Sequence, residues 1–282
     1  MCAAARRAPL CRAVLIGVTG RMGTALLRAA PAFAELLVTG AIASPASLAL
    51  GRDAGQIAGL GITHLTVTSD LPAALAQADV ALDFSTAGAL AGNLAAARAA
   101  RKPFLIGTTG FGAALDDALR AAARDIALLV APNTSLGVAV LGALTRAAAQ
   151  ALPASFDIDI LERHHRLKPD APSGTALALA RAAAAGRGLA PPDAAAAAAA
   201  AASPRPGARA EDAIGFASLR AGDLVGEHTV LFSGHGEELS LLHRATDRAV
   251  FARGALAAAL WLATRPPGRY GMDDFIGFKT TT

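Results

Sequence analysis

Lysine is nearly missing from this chain: only Lys102, Lys168 and Lys279 stand among its 26 basic residues, so almost every cation is an arginine. Aromatic residues make up 4% of the sequence, which leaves Leu, Val, Ile and Ala to build the core. That scarcity, with a net charge of only +4, gives no footprint for nucleic acid, which calls for clustered cations and stacking rings. No apolar run reaches the roughly 20 residues that would span a bilayer, so no membrane segment is expected. Cysteine occurs only at Cys2 and Cys11, too few for a disulfide framework, and this fits a reducing, cytoplasmic setting. Arg6, Arg7 and Arg12 precede an apolar stretch that Gly17 and Gly20 interrupt, so the beginning reads as a ragged terminus and not as a signal peptide.

What is present begins with Ala13 to Gly23, A-V-L-I-G-V-T-G-R-M-G, a short apolar strand followed by glycines at 17, 20 and 23 and by a helix-like run from Thr24 to Ala30. This is a G-x-x-G-x-x-G variant of the dinucleotide fingerprint, in which glycines let the backbone approach a pyrophosphate and a helix N-terminus supplies N–H donors. Strand and helix patterns then alternate. Strands are expected at Leu36 to Ala43, His64 to Thr68, Asp79 to Phe84, Pro103 to Ile106 and Ile126 to Val130. Helices are expected at Leu71 to Gln77, Ala87 to Ala100 and Ala113 to Ala123. Such alternation implies a parallel doubly wound sheet, whose ligands bind at the C-terminal strand ends. Asp83-Phe84-Ser85-Thr86, Gly107-Thr108-Thr109-Gly110 and Ala131-Pro132-Asn133-Thr134 all leave that edge.

A long apolar helix, Leu136 to Leu152, leads to a strand at Phe156 to Leu161, where Phe156, Ile158 and Ile160 alternate with Ser155, Asp157 and Asp159. The stretch Glu162 to Leu177, E-R-H-H-R-L-K-P-D-A-P-S-G-T-A-L, comes next. His164, His165, Arg166 and Lys168 fall within five positions, and Ser173 followed by Gly174 and Thr175 reads as a capped helix start. A small acid there would meet several cations and the positive end of a helix, and an imidazole can pass a proton at neutral pH. A solvated basic loop would also account for these charges, but a lone lysine in an arginine-rich chain suits a substrate contact better.

Residues 182–210 are of low complexity, with nine alanines at 194–202, and read as a helix end and a loop. Strands are expected at Ile214 to Leu219, Glu227 to Ser233 and Glu238 to Arg244, and an apolar helix at Ala249 to Ala263, with a tail at Tyr270 to Phe278. His64, His228, His235 and His243 read as structural or exposed residues. The expected architecture is α/β: a Rossmann-like doubly wound nucleotide domain (1–135 and 245–282), plus an α+β substrate and oligomerisation domain (136–244) with a mostly open sheet.

Six segments together resemble the 4-hydroxy-tetrahydrodipicolinate reductase (dihydrodipicolinate reductase) family over nearly the whole length. They are G-V-T-G-R-M-G at 17–23, D-F-S at 83–85, G-T-T-G-F at 107–111, A-P-N-T-S-L-G-V at 131–138, H-H-R-L-K-P-D-A-P-S-G-T-A at 164–176 and G-F-A-S-L-R-A-G-D-L-V-G-E-H-T-V at 215–230. The resemblance implies reduction of a cyclic dicarboxylate by NADPH or NADH in lysine (diaminopimelate) biosynthesis, with no metal. It implies His164 and Lys168 as catalytic residues and His165, Gly174 and Thr175 as substrate contacts. The coenzyme would be held by Gly17, Val18, Thr19, Gly20, Arg21 and Met22, by Gly107, Thr108 and Thr109, and by Ala131, Pro132, Asn133 and Thr134. It further implies a homotetramer joined through the second domain's sheet. Ser44 lies where a ribose-reading side chain is expected, and no carboxylate occurs between Glu35 and Asp53, so the acidic residue that favours NADH is missing. Two rival readings are another amino-acid-pathway dehydrogenase of this topology, against which the dense His-His-x-x-Lys loop speaks, and a non-catalytic nicotinamide-nucleotide sensor.

Overall fold

The computed structural model describes residues 10–193, 195, 197–199, 209–210 and 212–278. Residues 1–9, 194, 196, 200–208, 211 and 279–282 therefore lie outside the described residues, and with them part of the segment expected as a helix end and a loop. The chain divides into two compact units: residues through Ser135 with Ala249–Phe275, and Leu136–Arg248 with the residues from Ile276 on.

The first unit is built on a seven-stranded sheet in the order β11-β6-β5-β4-β1-β2-β3, with every neighbouring pair parallel. Its strands are β1 (Cys11–Ile16), β2 (Leu36–Ile42), β3 (Val67–Thr68), β4 (Val80–Asp83), β5 (Phe104–Ile106), β6 (Ala127–Val130) and β11 (Gly268–Tyr270). Helices α1 (Arg21–Ala29), α2 (Ala54–Ala58), α3 (Leu71–Ala76), α4 (Ala87–Ala99) and α5 (Asp116–Ala122) link them. Strands buried on both faces need continuous apolar runs, and Ala13 to Ile16, Val80 to Leu82 and Phe104 to Ile106 supply them.

Two expectations for this unit need correction. The third strand shrinks to Val67–Thr68, because His64 takes a positive φ of 58° that breaks an extended run. The helix expected from Ala113 splits into a 3-10 turn, Ala113–Leu115, and α5. The tail, expected as a segment able to pack back on this domain, is preceded by a seventh strand, Gly268–Tyr270, which pairs with Ala127–Leu129 of β6.

The second unit has a four-stranded mixed sheet in the order β10-β9-β7-β8. Its strands are β7 (Asp157–His164), β8 (Ile214–Arg220), β9 (Gly226–Gly234) and β10 (Glu237–Ala245). One face carries Ile158, Ile160, Val230 and Phe232 against α6 (Leu136–Ala151) and α7 (Gly174–Arg187). The two helices come close at Gly186, where an added Cβ would lie 2.4 Å from the Arg146 carbonyl oxygen. The opposite face exposes Leu161, Leu219 and Leu242. Helix α8 (Ala249–Leu262) belongs to the first unit, packing on α1 and against β4, β5 and β6, and a short α9 (Met272–Ile276) follows β11. No described helix is long and apolar enough to cross a membrane.

Candidate active site

In the first unit the strand order reverses between β1 and β4, the point at which a doubly wound sheet opens a crevice beyond its strand ends. The loop after β1 lies there. Gly17 has φ +81°, and a Cβ on it would stand 2.5 Å from the Phe84 carbonyl oxygen, so only glycine fits both the conformation and the space. A Cβ on Gly23 would lie 2.3 Å from the Gly17 oxygen, which lets α1 start directly against the loop. Gly20 caps α1 without a side-chain bond, and no acidic residue occupies the first turn, so the helix N-terminus keeps its positive character. Thr19, Gly20 and Arg21 are exposed there and Met22 is half-buried. Val18 differs: its side chain is buried and its N–H donates to the Ile42 carbonyl. This cradle, tight around glycines and free of carboxylates, fits the pyrophosphate of a dinucleotide.

Asp83 ties its own loop to the Gly107–Gly110 loop and to α4. Its fully buried carboxylate accepts from Ser85 N at 2.9 Å, Ser85 Oγ at 2.7 Å, Asn93 Nδ2 at 2.8 Å and Thr108 Oγ1 at 2.7 Å. Its carbonyl accepts from Gly107 N and Thr108 N. The Phe84 ring covers Gly107, where a Cβ would come within 2.1 Å of it. Thr108 is thus committed to Asp83, whereas Thr109 is exposed. Farther along, Ala131 N bonds Ile106 O, Pro132 is exposed, Asn133 Oδ1 caps Ser135 N at 2.9 Å, and Thr134 Oγ1 donates to Phe251 O at 2.6 Å. Ser44 is exposed just past β2, with its oxygen accepting from Ala46 N. Asp53, the first carboxylate after it, is spent on Gln56 N and Thr63 N.

The second unit carries the histidine stretch, and here the strand runs three residues beyond its expected end. In β7 the buried positions are Ile158, Ile160, Glu162 and His164, so the alternation that buries the isoleucines also buries a carboxylate and an imidazole. Ser173 caps α7 as expected, its Oγ accepting from Ala176 N at 3.2 Å. Gly174 is exposed and Thr175 half-buried at the helix start. A Cβ on Gly174 would meet open space, so steric demand does not explain that glycine.

Glu162 is the centre of the cluster at 1% exposure. Its Oε1 accepts from Arg220 Nη2 at 2.7 Å and from Ser173 N at 3.3 Å, and its Oε2 accepts from Arg220 Nη1 at 3.0 Å and meets His164 Nδ1. Burial raises the carboxyl pKa, but hydrogen bonds from His164 and Arg220 outweigh it and hold it at about 2. His228 meets His164 edge-to-face at 5.0 Å, and its Nε2 lies 3.1 Å from Ser173 Oγ. Burial, followed by the neighbouring His164, pushes His228 down to about 3, so it is neutral in the fold. His165 and Lys168 sit on the loop beyond the strand, with Lys168 Nζ paired to Asp170 at 2.7 Å. Burial and then Arg248 lower His165.

Glu162, His164 and His228 bring candidate ligand atoms within 4.8 Å of one another. Both Glu162 oxygens already accept from Arg220, and a metal ion would have to share them with a guanidinium, so the cluster is a hydrogen-bond network. Sequence reading missed Glu162, Arg220, His228 and Arg248 as members of this site. Only the period-two pattern continued through Glu162 and His164 could have revealed the first of them.

The arrangement has counterparts. Residues 11–134 match the family model described as dihydrodipicolinate reductase, N-terminus, and residues 137–276 match dihydrodipicolinate reductase, C-terminus. A 4-hydroxy-tetrahydrodipicolinate reductase from Alkalilimnicola ehrlichii is 47% identical over 94% of this chain and 98% of its own. Another, from Myxococcus xanthus, is 42% identical over 96% and 99%. Among solved structures, a dipicolinate-bound dihydrodipicolinate reductase from Paenisporosarcina sp. TG-14 superposes with a TM-score of 0.72 at 22% identity, over 93% of this chain and 97% of that one, a likeness of fold. With both halves matched and relatives this similar over almost the full length, the chain belongs to the dihydrodipicolinate reductase family.

Proposed function

We propose that the loop after β7 is the reaction site at which this chain reduces the 4-hydroxy-tetrahydrodipicolinate ring to tetrahydrodipicolinate, with His164 as proton donor and Lys168 as partner of the developing charge. The chain is an oxidoreductase of its family, acting with NAD(P)H in lysine (diaminopimelate) biosynthesis. The observation that carries the assignment of residues is the convergence of His164, His165, Lys168, Arg220 and Arg248 on one loop beside the N-terminus of α7. A dicarboxylate there meets cations from several elements and the positive end of α7 at Gly174 and Thr175.

The reduced nicotinamide supplies a hydride to the ring. His164 gives a proton to the ring atom that becomes electron rich, and Lys168, released from Asp170, stands as partner of the charge that develops there. His165, Gly174 and Thr175 bind the carboxylates. In the first unit the Gly17 to Met22 loop, Gly107 to Thr109 and Ala131 to Thr134 hold the coenzyme. This assigns residues through Ser135 with Ala249–Phe275 to the nucleotide and Leu136–Arg248 to the substrate. The assay is disappearance of reduced nicotinamide absorbance with the aldol product of pyruvate and aspartate semialdehyde as substrate. Turnover of another carbonyl in its place would overturn the reading.

The coenzyme reading is that NADPH serves at least as well as NADH. Arg21 and Ser44 leave the same edge of the sheet, because Ile16 and Ile42 are register partners at the ends of β1 and β2. Neither carries a negative charge to repel a 2′-phosphate, and Asp53 is occupied in its own turn. Ser44→Glu is expected to lower kcat/KM for NADPH by ~10-fold while sparing NADH. A wild-type preference of tenfold or more for NADH would reject the idea.

The outward face of the second sheet supports a homotetramer. Leu242 and Leu161 both stand opposite Thr229, and Leu219 stands opposite Arg163, which forms an exposed apolar patch in a strand-rich surface. Equilibrium sedimentation is expected to give four chains, and Leu219→Glu with Leu242→Glu is expected to yield smaller species. A monomeric wild-type chain would defeat this. A cytoplasmic setting, in which substrate and coenzyme share one compartment, fits this chemistry.

A further inference from the structure

The network beneath the loop reaches further than the residues that would touch substrate. The parallel register of β7 and β8 sets His164 opposite Arg220, and the antiparallel register of β7 and β9 sets Glu162 opposite His228. Arg220 spans the carboxylate with two nitrogens, then donates from Nε to the Lys168 carbonyl at 3.3 Å and from Nη2 to the Asp170 carbonyl at 2.5 Å. One guanidinium therefore grips the buried carboxylate on one side and the backbone of the lysine loop on the other.

Stability alone does not account for such a pair. Burying a carboxylate and a guanidinium costs desolvation that their attraction roughly offsets, and apolar side chains of similar volume do as well or better. Geometry is what an ion pair of this kind can supply and an apolar pair cannot.

We propose that Glu162 and Arg220 are positioning residues: Glu162 fixes the proton of His164 on Nδ1 so that Nε2 exchanges the proton with substrate, and Arg220 fixes the loop that presents Lys168. This rests on the proposed role of His164 and Lys168. An ionised carboxylate only accepts hydrogen bonds, so the imidazole nitrogen facing Glu162 must carry a hydrogen. Nε2 is then left toward Gly226, where a Cβ would stand 3.0 Å away, and glycine leaves that side uncrowded. The groups around the ring are Glu162 on its own strand, Arg220 on β8 and His228 on β9. His228 meets the ring edge-to-face and is itself neutral.

The test combines spectroscopy with kinetics on the full chain. Nitrogen-15 spectra of labelled histidine, at a pH where the ring is neutral, are expected to show His164 with its proton on Nδ1. In Glu162→Gln, whose amide can donate as well as accept, that preference is expected to disappear and kcat to fall by ~10²-fold, with the coenzyme KM within ~2-fold of wild type. Arg220→Lys keeps a charge but cannot span the carboxylate and both carbonyls, so Lys168 is presented less well and kcat is expected to fall by ~10-fold while the His164 tautomer persists. A wild-type proton on Nε2 would overturn the role of Glu162 whatever the variants do, as would kcat within ~3-fold of wild type in Glu162→Gln. An unchanged kcat in Arg220→Lys would overturn the role of Arg220. Failure of the wild type to reduce the ring would count against the function proposed above, whereas the tautomer decides the present inference without turnover.

Discussion

His164→Ala and Lys168→Ala are each expected to lower kcat by ~10²-fold or more, the size of a lost proton donor or of a lost partner for developing charge. His164 is 8% exposed, hydrogen-bonded to a carboxylate and fixed at the end of a strand, so its removal deletes one defined group. Lys168 stands on the loop, paired to Asp170, and its removal leaves the strand and helix untouched. Steady-state kinetics with saturating coenzyme checks both. His165→Ala is expected to act mainly on the substrate KM, because a carboxylate contact serves ground and transition states alike. The exposed His235 provides a control, since it lies at the β9–β10 turn far along the chain from the cluster, and His235→Ala is expected to leave kcat as it was. Near-normal turnover in His164→Ala would show that the proton comes from elsewhere.

Mild acid is expected to weaken the fold through the same cluster. His228 has its pKa lowered from 6.5 to about 3 by burial and by His164, so between those values the unfolded chain binds a proton that the folded chain refuses. Its contribution to stability is therefore complete above about pH 6.5 and drains away as the pH falls toward about 3. Glu162 adds a second loss at lower pH. Its pKa is lowered from 4.5 to about 2, so the stability it contributes is complete above about 4.5 and is lost as the pH falls toward about 2. Between about pH 7 and about pH 5 His228 acts alongside His165 and His243, which burial also lowers, and full exclusion of the His228 proton corresponds to ~2 kcal/mol. Urea unfolding across that interval is expected to show the loss in the wild type and a clearly smaller one in His228→Gln. Identical pH dependence in the two chains would mean that His228 is not the group responsible.

Much of this protein could be read from local pattern. The glycines at 17, 20 and 23 announced a strand, a tight turn and a helix, because each step of that motif depends on residues within a few positions of one another. Ser173 announced the start of α7 for the same reason, since a cap bonds only two or three residues ahead. The alternation of strands and helices up to Val130 announced a parallel sheet, and strand ends were misjudged only by a few residues. His164, His165 and Lys168 stood out because they are neighbours in the chain.

The support beneath them was not legible in this way. Arg220 is 58 residues from Glu162, and Ser173 is 55 from His228, and no local rule connects either pair. Sheet register connects them, because it is fixed by hydrogen bonds between distant strands and by which apolar residues the two faces bury. A two-residue period decided that Glu162 and His164 point inward with Ile158 and Ile160, while the strand's true end at His164 depended on its neighbours in the sheet. The pairing of Gly268–Tyr270 with β6, and the use of Asp83 to hold its own loop, α4 and the Gly107–Thr108 loop together, likewise needed the packed sheet to bring remote segments together. The sequence by itself determined the reacting groups and the local elements that carry them, because these depend on short-range chemistry. Only the tertiary structure decided which buried charges hold those groups in place, because that depends on register between strands that the chain separates by more than fifty residues.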